Sequence, residues 1–588
     1  MTDYLEIDQL AKTFAARDGQ PGLAYGVVAG GALVHSGGLG ERWLGGPAPD
    51  AGTVFRIASM TKSFTASTVL LLRDAGALRL DDLAQDYVPE LGDLVLPSAD
   101  SPRPTLRHLL TMTGGFPTDD PWGDRQQGLD PADFAALLSG GMRLAWAPGT
   151  RFEYSNTGYA ILGRVIEAVT GERYSEAVRA RILQPLGMTR TGYEAGEFDP
   201  DILTRGYHRG TGGWAELVPD GNGAYAPMGG VFSTVADLAR WVSGFAAAFP
   251  PRDGADDPAH PLSRASRREM QLPQVAIVTR PAGSFPDEFT FSYGLGLFVE
   301  EDPAFGTVVQ HSGGYPGYGS QMRWHPPTGL GVVVLGNATY AMAGQLASRM
   351  LADLLRRAGA GPAGTRTGVV RGPAPDDGRP WAQTLTARAE VDQLLRRWDD
   401  EVAGRLFSPN VAWDQPYAER RAAIGRVRDR IGDFRPDPDR PPEFDSAAHC
   451  RWWLRGERGT VQVEIGLAPL VQPLVQSLRL AVPPAPGSVL LRLLDALIGL
   501  LNDGSAIGGP QWPDWLPVAD DVDTTQLGRR LGVAAAWAGR CTAGAFRAGD
   551  GETSATVELE GPLGRAVLAI TVDEQTELLR QAEITLLP

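Results

Sequence analysis

The chain has 588 residues, of which 43% are hydrophobic and 21% charged, and its formal net charge is −16. This acidic balance argues against a nucleic-acid-binding protein and against docking on an anionic membrane. The length predicts three or four domains, or one large domain with smaller appendages. Two widely spaced cysteines, Cys450 and Cys541, indicate neither a disulfide framework nor a metal cluster.

The chain contains no segment typical of membrane insertion or secretion. Its first residues include early acids and lack an apolar core, unlike a secretory signal. The longest apolar run, from Val489 to Leu501, is interrupted by Arg492 and Asp495 and is too short to cross a bilayer. We therefore predict a cytoplasmic location.

The first elements in chain order are a helix over residues 5–17 and a hairpin. Residues 22–29 and 32–35 have the composition of strands, and Gly30-Gly31 joins them. Within the segment that follows, Ser59 to Lys62 is predicted to open an apolar helix that continues through Leu72, with Ser59 in its first turn.

Ser59 and Lys62 have the spacing that places two side chains on one helix face. A serine hydroxyl is a weak nucleophile unless a neighbouring base takes its proton, and a desolvated lysine amine is such a base. Of the 54 lysines and arginines only two, Lys12 and Lys62, are lysines. Because an arginine cannot lose its proton in a protein, a lysine kept at this position indicates a catalytic role.

The middle of the chain is predicted to be largely helical. Helical turns are expected over residues 78–83 and 105–115, and longer helices over residues 158–170 and from residue 231 onward. The loop from Phe116 to Asp124 contains many turn residues, so it either rims a pocket or is a plain surface loop.

Strands return near residue 293, and a closing helix is predicted over residues 341–357. The predicted strands cover residues 293–299, 307–311, 321–324 and 331–336. Because strands lie at both ends of the region with helices between them, we predict one sheet built from its N- and C-terminal parts, plus an inserted helical region.

Two further segments carry groups suited to acyl transfer. In Tyr154-Ser155-Asn156 an extended backbone would place the phenol and the amide on one face. A phenol near a cationic lysine is expected to have a lowered pKa and to shuttle a proton, and the amide of Asn156 can hold Lys62 and a substrate carbonyl.

The third segment, His311-Ser312-Gly313-Gly314, follows an apolar strand and leads into a second one. Such an edge can point backbone N–H groups at a pocket. His35 and His208 also precede a glycine at the same spacing, but they lie on a hairpin and in a polar glycine-rich loop. We expect His311 to belong to the site and the other two to be ordinary loop residues.

The C-terminal part is predicted to be a linker followed by an internal repeat. Residues 358–380 are rich in glycine and proline. Residues 381–483 and 484–588 then each contain an amphipathic helix (391–406 and 489–501), an arginine-bearing helix and a sheet-forming tail. We predict two tandem α+β modules, which are candidates for homo-oligomerisation or for covering the mouth of a site in residues 1–357.

In combination and in this order, Ser-x-x-Lys, Tyr-x-Asn and His-x-Gly resemble the serine β-lactamase and penicillin-binding-protein superfamily. The branch most similar contains class C β-lactamases, D-Ala-D-Ala carboxypeptidases, D-aminopeptidases and related esterases. The resemblance covers residues 1 to about 357. It implies an α+β sandwich whose antiparallel sheet is flanked by helices, followed here by the two small modules.

By that resemblance, Ser59 forms an acyl-enzyme, Lys62 and Tyr154 move its proton, and no metal or cofactor is needed. The substrate-binding residues would be Asn156, His311, Gly313 and Gly314, with the N–H groups of Ser59 and Gly314 as the oxyanion hole.

Two departures from the family pattern bear on the substrate. The third motif begins with His311 where most β-lactamases carry lysine, and Met112 replaces the usual histidine of a Leu-Leu-Thr-His segment. The resemblance therefore implies a peptidase or amidase for small substrates, with a D-stereospecific aminopeptidase or carboxypeptidase among the candidates, or a carboxylesterase. The alternatives are a β-lactamase and a non-catalytic penicillin-binding or sensor protein.

Overall fold

The computed structural model describes two compact units. The described residues are 4–18, 20–210, 213–254, 260–277, 290–302, 305–360, 380–485 and 487–503, together with residues 513–587 except 514, 520, 521, 523, 563, 574 and 575. Unit one contains the described residues up to 277 and those from 290 to 360, and unit two contains those from 380 onward. Most of the predicted linker 358–380 lies outside the described residues, so the domain boundaries stay predictions.

Unit one contains eleven described helices and twelve described strands. The helices are α1 Leu5–Asp18, α2 Thr61–Asp74, α3 Leu106–Leu110, α4 Asp120–Gly123, α5 Pro131–Ser139, α6 Asn156–Thr170, α7 Tyr174–Val178, α8 Ala226–Gly229, α9 Val235–Ala246, α10 Arg264–Met270 and α11 Ala343–Arg357. The strands are β1 Gly22–Ala29, β2 Ala32–Gly40, β3 Phe55–Arg56, β4 Gly206–Gly210, β5 Gly213–Leu217, β6 Phe232–Ser233, β7 Val275–Ala276, β8 Thr290–Tyr293, β9 Phe298–Asp302, β10 Gly306–Tyr315, β11 Tyr318–His325 and β12 Leu330–Gly336.

Eight of these strands form one antiparallel sheet in the order β2-β1-β12-β11-β10-β9-β8-β7. Strand β1 pairs with β12, with Leu23 opposite Gly336 and Val28 opposite Gly331, so strands from the two ends of the unit are neighbours in this sheet. This confirms the predicted antiparallel sheet with helices on its faces and an inserted helical region.

Alternation along β1 explains why both faces of the sheet are covered. Leu23, Tyr25 and Val27 point toward α1 and α11 in one apolar cluster. On the opposite face α9 packs so closely that a Cβ on Gly26 would overlap Val235. A strand that is buried on both faces needs apolar residues at nearly every position, and β1 has this composition.

Two predicted elements of unit one are wrong. Residues 78–83 are not helical. The predicted strand 293–299 is interrupted, because β8 ends at Tyr293 and β9 begins at Phe298. Between them Gly296 has φ 74° and lies against α2, where a Cβ would crowd Ala66. A left-handed glycine in close packing turns the chain where the apolar run alone predicts an extended strand.

Unit two contains two successive helix-and-sheet sets, which confirms the two small α+β domains. The helices are α12 Ala382–Arg396, α13 Asp400–Leu406, α14 Pro409–Asp414, α15 Tyr417–Ile431, α16 Val489–Asp503 and α17 Thr524–Ala538. The strands are β13 Arg435–Pro436, β14 Glu443–Ser446, β15 His449–Arg455, β16 Thr460–Leu467, β17 Val475–Ala481, β18 Thr542–Ala548, β19 Ser554–Gly561, β20 Gly564–Asp573 and β21 Leu578–Leu587.

The spacing of these elements supports an internal repeat. Helix α16 begins 107 residues after α12 (489 against 382), and α17 begins 107 residues after α15 (524 against 417). Strands β15, β16 and β17 form a sheet in sequential order, as do β19, β20 and β21. The predicted single helix 391–406 is wrong. The backbone is extended after α12, and Asp399 then begins a new helix, α13, by accepting a hydrogen bond from Glu401 N–H.

No helix of the described part combines the length and the apolar character that crossing a bilayer requires.

Candidate active site

Ser59 lies in a 3-10 turn, Ala58–Met60, that leads directly into α2. The sequence predicted Ser59 in the first turn of the helix itself, whereas the structure places it in the 3-10 turn directly before α2. Ser59 is partly exposed, although its neighbours on both sides are buried. Ala58 has φ 47°, a left-handed conformation that is strained for alanine. Strain of this kind persists only where the surrounding structure enforces it.

The enforcing contacts come from two sides of the turn. The hydroxyl of Ser320 donates to the carbonyl of Ile57 (2.7 Å), and Ile57 N–H donates to the carbonyl of Val231 (2.9 Å). Strand β10 passes so close that a Cβ on Gly313 would overlap both the Ile57 carbonyl oxygen and the Ser320 hydroxyl. The turn is therefore held rigidly against the sheet, with Ser59 facing outward.

Lys62 is fully buried, with 0% of its surface exposed. Its amine donates to Ser59 Oγ (2.9 Å), Asn156 Oδ1 (2.7 Å) and the carbonyl of Met228 (2.9 Å). Burial lowers the pKa of Lys62 to about 8, against the opposing charges of Asp120, Asp124 and Asp119. The amine thus lies within proton-transfer distance of Ser59, and near neutral pH an appreciable part of it is unprotonated.

Tyr154 and Asn156 stand at the entrance to α6, where Ser155 is extended (φ −135°) and caps the helix. The Tyr154 hydroxyl interacts with the Ser59 side chain, which acts to lower the Tyr154 pKa, and the ring centroid of Tyr154 lies 4.8 Å from Lys62 Nζ. The two side chains thus converge on Lys62, as the extended backbone predicts.

The predicted lowering of the pKa of Tyr154 is wrong. Burial raises this pKa well above its ordinary value, and the negative charge of Asp120 raises it further. These effects outweigh the interaction with Ser59, which acts to lower the pKa. The phenol of Tyr154 is therefore neutral at physiological pH.

Met112 holds the irregular segment that carries Tyr154. It adopts a left-handed conformation (φ 59°), and its carbonyl accepts from Glu153 N–H (2.9 Å). Its sulfur accepts from Ser155 N–H at 3.4 Å. The residue that replaces the family's usual histidine therefore binds the backbone on both sides of Tyr154.

His311 is 1% exposed and neutral. Its Nδ1 donates to the carbonyl of Ser312 (2.6 Å), so its Nε2 is free to accept from the Tyr293 hydroxyl (3.2 Å). Burial lowers the pKa of His311 to about 3, and the nearby Lys62 charge acts in the same direction. In this segment the exposed side chain is that of Ser312. Because successive side chains of a strand point to opposite faces, Ser312 faces away from His311, and this alternation could have identified it from the sequence.

Gly313 and Gly314 lie at the end of β10, where the sheet edge opens. Strand β9 pairs with β10 only as far as Gln310, whereas β11 pairs with it up to Tyr315. Among the described strands, the outer edge of β10 beyond Gln310 therefore has no neighbour. The Ser59 turn packs against this edge. An open edge beside Ser59 suits the predicted oxyanion donors.

Three carboxyl groups that the sequence analysis did not select complete the surroundings. Asp119 is buried and accepts from Asn156 N–H (2.7 Å) and Thr157 N–H (2.9 Å). Asp120 Oδ1 accepts from Asn156 Nδ2 (2.8 Å). All three, including Asp124, act electrostatically on Lys62. The loop 116–124 thus lies beside the site. Its aspartates, which stand among turn residues, were the feature of the sequence that could have indicated this.

Burial raises the pKa values of these carboxyls, to about 6 for Asp119 and about 8 for Asp124. That of Asp120 is raised too, although Lys62 opposes the shift. His35 and His208 stay outside the site: His35 bonds Asp8 (2.6 Å), and His208 lies on the β4–β5 hairpin.

Chemically, the arrangement joins a partly exposed hydroxyl, a buried amine with a lowered pKa and a phenol, next to an open strand edge. In the part of the chain that is described, no group of three or more His, Cys, Asp or Glu side chains is arranged to hold a metal ion.

Known proteins with similar sequences include enzymes and penicillin-binding proteins. The chain is 27% identical over 288 residues to "Penicillin-binding protein 4*" of Bacillus subtilis, covering 46% of this chain and 57% of that protein. It is 31% identical over 343 residues to "Esterase EstB" of Burkholderia gladioli, covering 53% of this chain and 83% of that protein. The chain spans little more than half the length of the former.

The solved octameric penicillin-binding protein homologue of Pyrococcus abyssi has the same fold. It superposes with a TM-score of 0.52 at 22% identity, covering 82% of this chain and 98% of that one. The sequence profile described as Beta-lactamase matches residues 7–356, more than half of the chain. This chain is therefore a member of the β-lactamase family, within the superfamily of serine β-lactamases and penicillin-binding proteins.

Proposed function

We propose that the protein is a serine hydrolase that cleaves amide or ester bonds of small substrates through an acyl-enzyme on Ser59. The observation that carries the proposal is the 2.9 Å hydrogen bond between Lys62 Nζ and Ser59 Oγ, made by a fully buried amine. An amine with its pKa near 8 can take the serine proton at physiological pH.

In the first half-reaction the Ser59 oxygen bonds to the substrate carbonyl carbon while its proton passes to the Lys62 amine. The proton then moves to the leaving nitrogen or oxygen, with the neutral Tyr154 hydroxyl as relay, and the bond to the leaving group breaks. Asn156 keeps Lys62 in place through the bond to its Oδ1.

In the second half-reaction water attacks the acyl-enzyme and passes a proton to the same amine, and the carboxylic acid leaves as the Ser59 hydroxyl reforms. The backbone N–H groups of Ser59 and Gly314 are the proposed donors to the oxyanion. Removal of one such donor typically costs about 3 kcal/mol in transition-state stabilisation.

A peptidase, an amidase or an esterase fits the site better than a β-lactamase. β-Lactam antibiotics carry a carboxylate, and a cation beside the reacting atoms favours it. Here the third motif offers a buried, neutral His311, and three carboxyls surround Lys62. Nitrocefin turnover comparable with ester turnover would favour the β-lactamase alternative.

The test is hydrolysis of p-nitrophenyl acetate by the wild type and by Ser59→Ala. We expect the substitution to lower kcat/KM by about three orders of magnitude or more, as loss of a nucleophile does in other serine hydrolases. Ser139→Ala, at an exposed serine that ends α5, is the matched control and should leave the rate unchanged.

Turnover that survives in Ser59→Ala would contradict the proposed nucleophile. An acyl adduct that forms on Ser59 in the wild type but never turns over would instead indicate the sensor alternative, and intact-mass measurement distinguishes these outcomes.

We also propose that the protein forms homo-oligomers through the C-terminal modules and that it is located in the cytoplasm. Light scattering on the full chain, compared with a chain that ends at residue 360, measures the first. Fractionation of the producing cells measures the second.

A further inference from the structure

The segment from Asp119 to Gln127, called here the acidic loop, presents its three carboxyls in different ways. Asp119 is buried and accepts hydrogen bonds from two backbone N–H groups of α6. Asp124 is buried and accepts from the Tyr340 hydroxyl (2.7 Å). Asp120 has surface open to solvent, although its carboxyl is sheltered enough from water for its pKa to be raised, and one of its oxygens accepts from Asn156. Asp120 is thus the carboxyl that a ligand can reach.

The second oxygen of Asp120 has no hydrogen-bond partner in the part of the chain that the structure describes. Lys62 is the cation that acts on this carboxyl, yet its three N–H groups already serve Ser59, Asn156 and Met228. Lys62 therefore offsets the charge of Asp120 without bonding it, which leaves room for a cation from outside the chain.

Asp120 also lies close to the reacting atoms. The single amide group of Asn156 bonds Lys62 through its oxygen (2.7 Å) and Asp120 through its nitrogen (2.8 Å). A group that contacts Asp120 is therefore linked through the Asn156 amide to Lys62, which itself contacts Ser59.

A second, independent sign of an absent partner is Gln127, at the end of the acidic loop. Its side chain is 0% exposed, and among the described residues neither its Nε2 nor its Oε1 has a hydrogen-bond partner. Its Oε1 lies 3.8 Å from where a Cβ on Gly229 would be, and Ala58 lies 3.7 Å from the same point. A buried amide without partners beside the nucleophile's turn is normally satisfied by a ligand or an ordered water.

We propose that Asp120 binds an ammonium group of the substrate, so that the site selects amides and esters carrying a primary amine near the scissile carbonyl. This inference rests on the proposed hydrolase function for its catalytic meaning, but the binding preference can be measured without turnover. A charge-assisted hydrogen bond to the free oxygen of Asp120 supplies the selectivity.

The experiment uses isothermal titration calorimetry on full-length Ser59→Ala, which binds without cleaving. The ligands are alanyl-alaninamide in both enantiomeric forms, propionyl-alaninamide, which lacks only the amine, and N-(2-aminoethyl)propionamide, which carries the amine on the other side of the amide. We expect an amine-bearing ligand to bind at least about tenfold more tightly than propionyl-alaninamide. The two positions of the amine report which half of the substrate contacts Asp120.

The preference should fall to within about threefold when Asp120→Asn is added to Ser59→Ala, because the amide keeps the shape and removes the charge. Asp133→Asn, at an exposed aspartate of α5, is the matched control and should preserve the preference. The ratio between charged and neutral ligands is compared within each variant, so a general loss of affinity does not affect the result.

Equal binding of charged and neutral ligands in the Ser59→Ala background, or a preference that Asp120→Asn leaves intact, would overturn the proposal. Failure of the hydrolase function is a separate result, seen as absent Ser59-dependent turnover of the uncharged p-nitrophenyl acetate.

Discussion

At the scale of single residues, Lys62 combines three acceptors, complete burial and a pKa near 8. These features have opposite effects. The acceptors suit an ammonium group, whereas removal from water favours the neutral amine. A group balanced in this way can hold or release a proton at little cost, which is what a general base needs near neutral pH.

Lys62→Arg tests whether proton release is the function of this side chain. Arginine keeps the positive charge but cannot be deprotonated, so we expect kcat/KM for p-nitrophenyl acetate to fall by roughly 10²–10⁴-fold. The chain offers a matched control in its other lysine, and Lys12→Arg should leave the rate unchanged. Full activity in Lys62→Arg would show that charge alone suffices.

The pH dependence follows from the same group. Below a pKa of about 8 Lys62 is protonated and cannot accept the serine proton, so kcat/KM for the uncharged ester should rise as pH increases through about 8 and then level off. The rate measured with Ser59→Ala is subtracted at each pH to remove spontaneous hydrolysis. A flat profile between pH 6 and pH 9, or a falling one, would contradict the assignment of Lys62 as the base.

At the scale of elements, the site depends on β10 lying almost in contact with the turn before α2. A Cβ on Gly313 would overlap the Ile57 carbonyl and the Ser320 hydroxyl, which themselves hydrogen-bond. For Gly313→Ala we therefore expect a stability loss of about 1–3 kcal/mol and a lower kcat, because the turn that carries Ser59 must shift.

Thermal unfolding and ester turnover measure the two effects of Gly313→Ala. The control is Gly196→Ala, since a Cβ there meets nothing within 4 Å. Wild-type stability together with wild-type kcat in Gly313→Ala would mean that the close approach of β10 does not position Ser59.

Much of this element structure could be predicted, and the errors have a physical reason. The hairpin β1–β2 and the closing helix α11 follow from short-range patterns, and they are confirmed. The break between β8 and β9 could not be predicted, because it depends on a tertiary contact. Gly296 turns the chain there and packs against Ala66 of α2, which is more than 200 positions away in sequence. A hydrophobic pattern indicates which residues are buried, but it does not indicate which distant element covers them.

The same limit applies to the site. Ser59 and Lys62 are neighbours on one helix, and the order of the three motifs pointed to the residues that the structure brings together. The role of Asp120 could not be predicted, because it depends on a hydrogen bond to Asn156 across 36 residues of chain. The pKa of Tyr154 was predicted in the wrong direction because burial and the charge of Asp120, both tertiary features, raise it.

At the scale of the whole molecule, the residues of the proposed site all come from unit one. Ser59, Lys62, Tyr154, Asn156 and His311 lie between residues 59 and 311, and the family match ends at residue 356. The sheet of this unit is built from strands of unit one, and it joins the beginning of the unit to its end because β1 pairs with β12. Unit two has an apolar cluster of its own in its second module.

A chain that ends at residue 360 should therefore fold and hydrolyse p-nitrophenyl acetate with kcat/KM within about threefold of the full-length protein, because a domain with its own core can fold alone. Circular dichroism and ester turnover, each compared with the same truncation carrying Ser59→Ala, measure this. A truncated chain that folds but has lost turnover would show that unit two contributes directly to catalysis. One that fails to fold would show that the sheet and helices of unit one are insufficient by themselves.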